Sequence, residues 1–190
     1  MPAESRVLVV SANERLQDAL SRLLARQAGV VYQGVSHTAN DALALFRVDP
    51  PDLVISDSPP ADVNDVLIWR EVRDCGPRLL MLTNYLREGD SIRAVLAGAS
   101  ALILAPEARG RRLVEAVLRV AQGEFLIAEE LIARLRTFVT GEARRGLNEA
   151  ERRVLGLILE GKGDYEIASE TAAGLDEVRA CTARLVEELV

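Results

Sequence analysis

The sequence predicts an α/β fold, a doubly wound five-stranded parallel sheet, followed by a small all-α helix-turn-helix unit. Three observations carry this. Strand-like and helix-like patterns alternate over the first 122 residues, the pattern turns purely helical from Leu147, and a polar stretch flanked by glycines lies between at 140–146. Alternating strands and helices imply a parallel sheet covered on both faces and joined by right-handed crossovers. The expected organisation is a sheet domain over 5–122, a linker helix and linker over 123–146, and a short, acidic helical domain over 147–190.

The elements follow in order. Residues 6–10 are a short apolar strand, and 13–27 place Leu16, Ala19, Leu20, Leu23 and Leu24 at helical spacing, one buried face. A second strand is expected at 30–35 and a second helix at 39–47. The third strand, 52–56, is bounded by Pro50-Pro51 and Ser58-Pro59-Pro60. Residues 63–74 read as a helix. Strand four, 78–83, carries Leu79, Leu80, Met81 and Leu82 without interruption, as a strand buried on both faces should. Helix 88–97, strand 101–104 and the amphipathic helix 109–121 complete the unit. Beyond it come a helix at 128–138, the polar linker 140–146 and a helix at 149–160 ending at Gly161. Asp164 is placed to cap a short helix at 165–171. A turn at Ala172-Ala173-Gly174 leads to a last helix, 175–189, with Val178, Cys181, Thr182, Leu185 and Leu189 facing inward. Two helices joined by a short turn containing glycine form a helix-turn-helix.

Composition narrows the function classes. Of 190 residues, 49% are apolar, enough for a sizeable core, and no apolar run reaches the roughly 18 residues of a membrane span. The opening Met1-Pro2-Ala3-Glu4-Ser5-Arg6 leads directly into a strand with no apolar signal core, so a soluble, cytoplasmic protein is expected. Cys75 and Cys181 are far apart and read as two buried thiols. His37 is the only histidine and reads as a loop residue. One imidazole builds neither a histidine metal site nor a catalytic triad. Walker loops, GxGxxG and HExxH are also missing, so no enzyme, metal or cofactor is expected. The net charge of −6 is uneven, with ten acids against five bases from Leu147 to Val190 placing −5 of it in the tail.

In doubly wound sheets, chemistry gathers at the carboxyl ends of the strands, where Ser11, Asp57, Thr83 and Ala105 all fall. Pro51-Asp52-Leu53-Val54-Ile55-Ser56-Asp57 resembles the phospho-acceptor strand of a receiver domain, and Leu80-Met81-Leu82-Thr83 resembles its switch-threonine strand. Ala97-Gly98-Ala99-Ser100-Ala101-Leu102-Ile103-Leu104 resembles the family's AGAxGYLLK run. In the tail, Leu147-Asn148-Glu149-Ala150-Glu151-Arg152-Arg153-Val154-Leu155 is similar to the LTxREREVL opening of LuxR-type domains, with Glu160-Gly161 and Glu166-Ile167-Ala168 at the family's intervals. Nearly the whole chain thus resembles a NarL/FixJ-type response regulator of two-component systems, a receiver joined to a LuxR-type helix-turn-helix.

The departures from that family are chemical. Its receivers carry two acids after strand one, where this chain has Ser11 and Ala12, and a lysine after strand five, where it has Ala105 followed by the retained Pro106. The aromatic switch position holds Leu102. Phosphoryl transfer depends on positioning and on neutralised charge, largely through Mg²⁺ and cations. Ser11, Ala12, Asp57, Thr83 and Ala105 therefore read as a vestigial acceptor pocket. In the last helix Arg179 matches a basic DNA-facing position and Arg184 adds a second charge on the same solvent side. The family's histidine is replaced by Cys181 and its C-terminal lysine by Glu188.

The resemblance implies an atypical response regulator that acts on transcription without aspartate phosphorylation, as a homodimer contacting promoter DNA through Arg179, Arg184 and Lys162. The acidic tail favours a different class, an interaction module that has lost DNA binding and pairs with another regulator. A neutral or cationic small molecule beside Asp57 is a further expected partner.

Overall fold

Short apolar runs pair into the expected sheet. A computed structural model describes residues 4–46, 48–84, 87–107, 109–143 and 146–190. Its strands are β1 (Ser5–Val10), β2 (Val30–Ser36), β3 (Leu53–Ser56), β4 (Arg78–Thr83) and β5 (Ala99–Leu104). They lie in one parallel sheet in the order β2-β1-β3-β4-β5. Five helices follow the strands: α1 (Glu14–Leu24), α2 (Ala39–Phe46), α3 (Val63–Asp74), α4 (Glu88–Leu96) and α5 (Arg111–Ala121). After these come α6 (Glu129–Thr140), α7 (Glu149–Leu159), α8 (Asp164–Thr171) and α9 (Leu175–Leu189). Met1, Pro2 and Ala3, Arg47 of the second expected helix, and Arg144 and Arg145 of the expected linker lie outside the described residues.

The period of two along each strand sorts side chains between two layers. Val7, Val9, Leu53, Ile55, Leu80 and Leu82 join Leu20 and Leu24 of α1 and Leu113, Val117 and Val120 of α5. Leu8, Val10, Val54, Leu79 and Met81 face the other way, toward Phe46 of α2, Trp69 of α3 and Val95 of α4. Helix starts are set by short polar side chains. The Asn13 carboxamide accepts the N–H groups of Arg15 and Leu16, and Asp62 accepts that of Asp65. The chain after α5 returns to the sheet at Leu126, which donates to the Ser100 carbonyl (2.8 Å) and accepts from Leu102 N–H (3.1 Å), a one-residue parallel bridge on the outer edge of β5.

In the tail, Asn148 and Glu151 form a reciprocal capping box at the start of α7. The Glu166 and Glu177 carboxylates accept the N–H groups of Gly163 and Gly174 just ahead of α8 and α9. The turn between α8 and α9 passes through Ala172 at φ +54°, a left-handed conformation on a residue with a Cβ. Val178, Cys181, Thr182, Leu185 and Leu189 are buried, as their spacing predicts.

The tail is not suspended from a free linker. Helix α9 packs against α3 and α4, α8 against α3, and α7 against α4 and α6. One apolar cluster runs from Val54 and Met81 through Trp69 and Leu96 into Leu155, Ile167 and Leu185.

Two expectations change with these contacts. Cys75 is exposed at the end of α3, where the chain leaves the helix, whereas Cys181 is buried and burial raises its thiol pKa. Asp164 does not cap α8. It is the helix's first residue, after Gly163, and its side chain turns toward the sheet domain. Among the described residues no helix is long and apolar enough to cross a membrane.

Candidate functional site

Strand register brings the expected pocket together. Val10 pairs with Ser56, so the next residues, Ser11 and Asp57, emerge side by side at the carboxyl edge of the sheet. Thr83 pairs with Leu104, and the Ala105 N–H donates to the Thr83 carbonyl at 2.8 Å, which sets Ala105 beside Thr83 on the same edge. Ser11 is buried and committed to local structure. Its hydroxyl accepts the Asn13 N–H (3.0 Å), its N–H donates to the Ser36 carbonyl (2.9 Å) and its carbonyl accepts from the Gln17 carboxamide (2.6 Å). Ala12 is exposed and offers only a methyl group. Asp57 Oδ1 is buried without a hydrogen-bond partner.

The Mg²⁺ of family receivers does not fit this donor set. That ion demands near-octahedral oxygen ligation, usually with more than one anionic group nearby. Here Asp57 is the single carboxylate of the five positions, the Ser11 hydroxyl already serves the α1 turn, and Ala12 and Ala105 contribute no donor and no cation. Among the described residues no three acids, cysteines or histidines are grouped to hold a metal.

The basic set of the tail is placed differently from its sequence reading. Arg179 does not stand on the solvent side of α9. Its side chain is 28% exposed and faces α3, with Nη1 3.2 Å from Glu71 Oε1 and Nε 3.6 Å from Asp164 Oδ2. The reason is the apolar contact of α9 with α3 and α4, which turns that face of the helix inward. Arg184 is exposed and pairs with Glu151 at 3.1 Å. Lys162 lies between Glu170 (2.5 Å) and Glu160 (3.2 Å), and the hydrogen bond its ammonium donates to Glu170 raises its pKa. Each of the three cations thus meets a carboxylate of its own chain.

The strongest polar cluster joins the two halves of the molecule, and α3 supplies most of it. Arg70 is wholly buried. Its Nε donates to Asp164 Oδ1 at 2.5 Å, and its Nη2 to the Lys162 carbonyl at 3.0 Å. Arg73 Nη2 donates to the Gly161 carbonyl at 2.8 Å, and Asp74 Oδ1 accepts the Asp164 N–H at 2.6 Å. Burial first, and the neighbouring Asp164 second, push the Asp74 carboxyl up to about 6. Sequence reasoning missed this cluster because a helical run of Arg70, Glu71, Arg73 and Asp74 reads as a solvated face. One signal was present: Val66, Trp69, Arg70 and Arg73 share a stripe at helical spacing, which sets arginines on the apolar side.

A five-stranded doubly wound sheet followed by a helix-turn-helix is the fold of the response regulators to which this chain is similar. The chain is homologous to response regulators. The response regulator protein VraR of Staphylococcus aureus is 25% identical over 188 residues, spanning 97% of this chain and 90% of the relative. The fold matches the receiver domain of the putative response regulator NarL from Mycobacterium tuberculosis (TM-score 0.57, 22% identity, 65% of this chain and 100% of that one). It also matches the RcsB response regulator of Salmonella typhimurium (TM-score 0.56, 16% identity, 100% of this chain and 93% of that one). A further match is a structure of two RcsB dimers bound to two parallel DNAs (TM-score 0.54, 15% identity, 98% of this chain and 93% of that one). No family model matches the chain.

Proposed function

We propose that this chain regulates transcription by binding promoter DNA through α8 and α9, as a homodimer and without an aspartyl phosphate. The observation that carries the reading is the α8–α9 pair with its basic set, Lys162, Arg179 and Arg184, on a chain homologous to response regulators. The RcsB dimers on DNA, alike in fold, support both the ligand and the dimer. Independence from phosphate rests on Ser11, Ala12 and Ala105, which offer neither metal ligands nor a cation to an acyl phosphate on Asp57.

In the closed arrangement Glu71 and Asp164 occupy the guanidinium that would meet DNA. DNA phosphates must replace them, so the binding form is one in which α9 has left α3. The test is a salt titration of DNA binding with the purified protein and its natural upstream region. Three cation contacts give a slope of log K against log salt of about −3. No binding at low salt overturns the reading. A second reading, an interaction module acting through another regulator, is favoured by the tail's net charge of −5 and by the pairing of its cations.

A further inference from the structure

We propose that Asp74 makes the closure of the tail onto α3 proton-sensitive, so that acid holds the two parts together and rising pH loosens them. The geometry is specific. Asp74 sits at the end of α3 with Oδ1 on the Asp164 N–H, while its Oδ2 is buried without a hydrogen-bond partner. Asp164, wholly buried, brings a second carboxylate to the same place, and its own Oδ2 likewise lacks a hydrogen bond. Two carboxylates therefore share one seam, each with one oxygen that accepts no hydrogen bond.

The surroundings decide the sign. From α3 itself Arg70 and Arg73 favour an ionised Asp74, and Glu71 is paired with Arg179. Arg78, at the start of β4, acts on Arg73. From α8 the Asp164 carboxylate opposes ionisation, the backbone N–H groups of Asp164 and Tyr165 favour it, and Glu166 acts on Arg73. The turn ahead of α8 presents the Lys162 carbonyl to Arg70 and keeps its ammonium on Glu160 and Glu170. Arg179 of α9 reaches the same cleft but is held by Glu71 and Asp164, and Cys75 lines its edge. Burial is the largest influence on Asp74 and pushes its carboxyl up to about 6.

Opening the seam returns Asp74 to water and to an ordinary carboxylate pKa of about 4. The closed form therefore binds the proton more tightly. Its advantage is complete below the open-form value and is lost as pH rises through about 6. The full shift corresponds to a change of about a hundredfold in the closure equilibrium, reduced to roughly tenfold by solvent reaching a half-buried carboxyl. This device operates whether or not the released tail meets DNA.

Small-angle scattering of the full chain at pH 5 and pH 8 tests it. The wild-type radius of gyration should increase at pH 8, and Asp74→Asn, which keeps an acceptor but no charge, should hold the pH 5 value at both. A wild-type radius that does not change, or an equal increase in a folded Asp74→Asn protein, overturns the proposal. A second measurement does not depend on that variant folding. Carbon-13 NMR should give Asp74 a midpoint near 6 in the wild type. In Gly163→Ala, whose added Cβ would collide with Asp74 Oδ1 and part the seam, the midpoint should fall to about 4. An ordinary midpoint in the wild type overturns the proposal.

Discussion

Arg70 Nε lies 2.5 Å from Asp164 Oδ1, with both side chains wholly buried, one on the sheet domain and the other at the first residue of α8. Removing one partner of such a pair leaves a charge stranded away from water, which costs about 3–5 kcal/mol. Replacing both with apolar groups of similar volume is often neutral. Asp164→Ala should therefore lower the stability of the closed form by about 3–5 kcal/mol in urea denaturation. The double variant Arg70→Met/Asp164→Leu should recover most of that loss. Additive losses would show that the pair is not coupled.

The acceptor pocket predicts a chemical silence. With Ser11, Ala12 and Ala105 in place of charged groups, incubation with acetyl phosphate and Mg²⁺ should leave the intact mass unchanged. A substantial phosphorylated species that disappears in Asp57→Asn would refute this.

If α9 meets DNA as proposed, the contact between Arg179 and Glu71 makes Glu71 a competitor of the DNA phosphates. Glu71→Gln should tighten binding by weakening that competition, and Glu177→Lys should strengthen nonspecific binding by replacing repulsion with a phosphate contact. Arg179→Ala should weaken specific binding by about 1–3 kcal/mol if the side chain reaches a base edge. An equal loss on all sequences would assign it to phosphate. Fluorescence anisotropy with specific and scrambled duplexes separates these outcomes, and unchanged binding in Glu71→Gln would remove the competition argument.

Ala172 is exposed and left-handed at φ +54°, where a Cβ is disfavoured by about 1–2 kcal/mol. Glycine relieves that strain but adds freedom to the unfolded chain. Ala172→Gly should raise stability by about 0.5–1 kcal/mol, visible as a higher denaturation midpoint with an unchanged slope. A lower midpoint would contradict this account of the turn.

How far the sequence could be read follows from what each element depends on. The unbroken apolar run at 79–82 and the 3.6 period in α9 are local facts, and they predicted a strand buried on both faces and the inward face of the last helix. The grouping of residues at the strand ends was equally legible. Parallel strands carry their carboxyl ends to one edge, so Ser11, Asp57, Thr83 and Ala105 meet once the strand order is known. Asp164 shows the limit. A short acidic residue before a helix has the chemistry of a cap, and only the guanidinium of Arg70, 94 residues away in sequence, redirects it.

By itself the sequence determined the elements, their faces and which residues stand at the strand ends, because these depend on residue type and on spacing along a strand or helix. Tertiary structure alone decided where the tail sits and therefore what its cations touch. Arg179 reads as a solvent-facing charge until α9 meets α3, and Asp74 as an ordinary acid until Asp164 is buried beside it. Burial and pairing belong to surfaces that come together from distant parts of the chain, and no local pattern encodes that meeting.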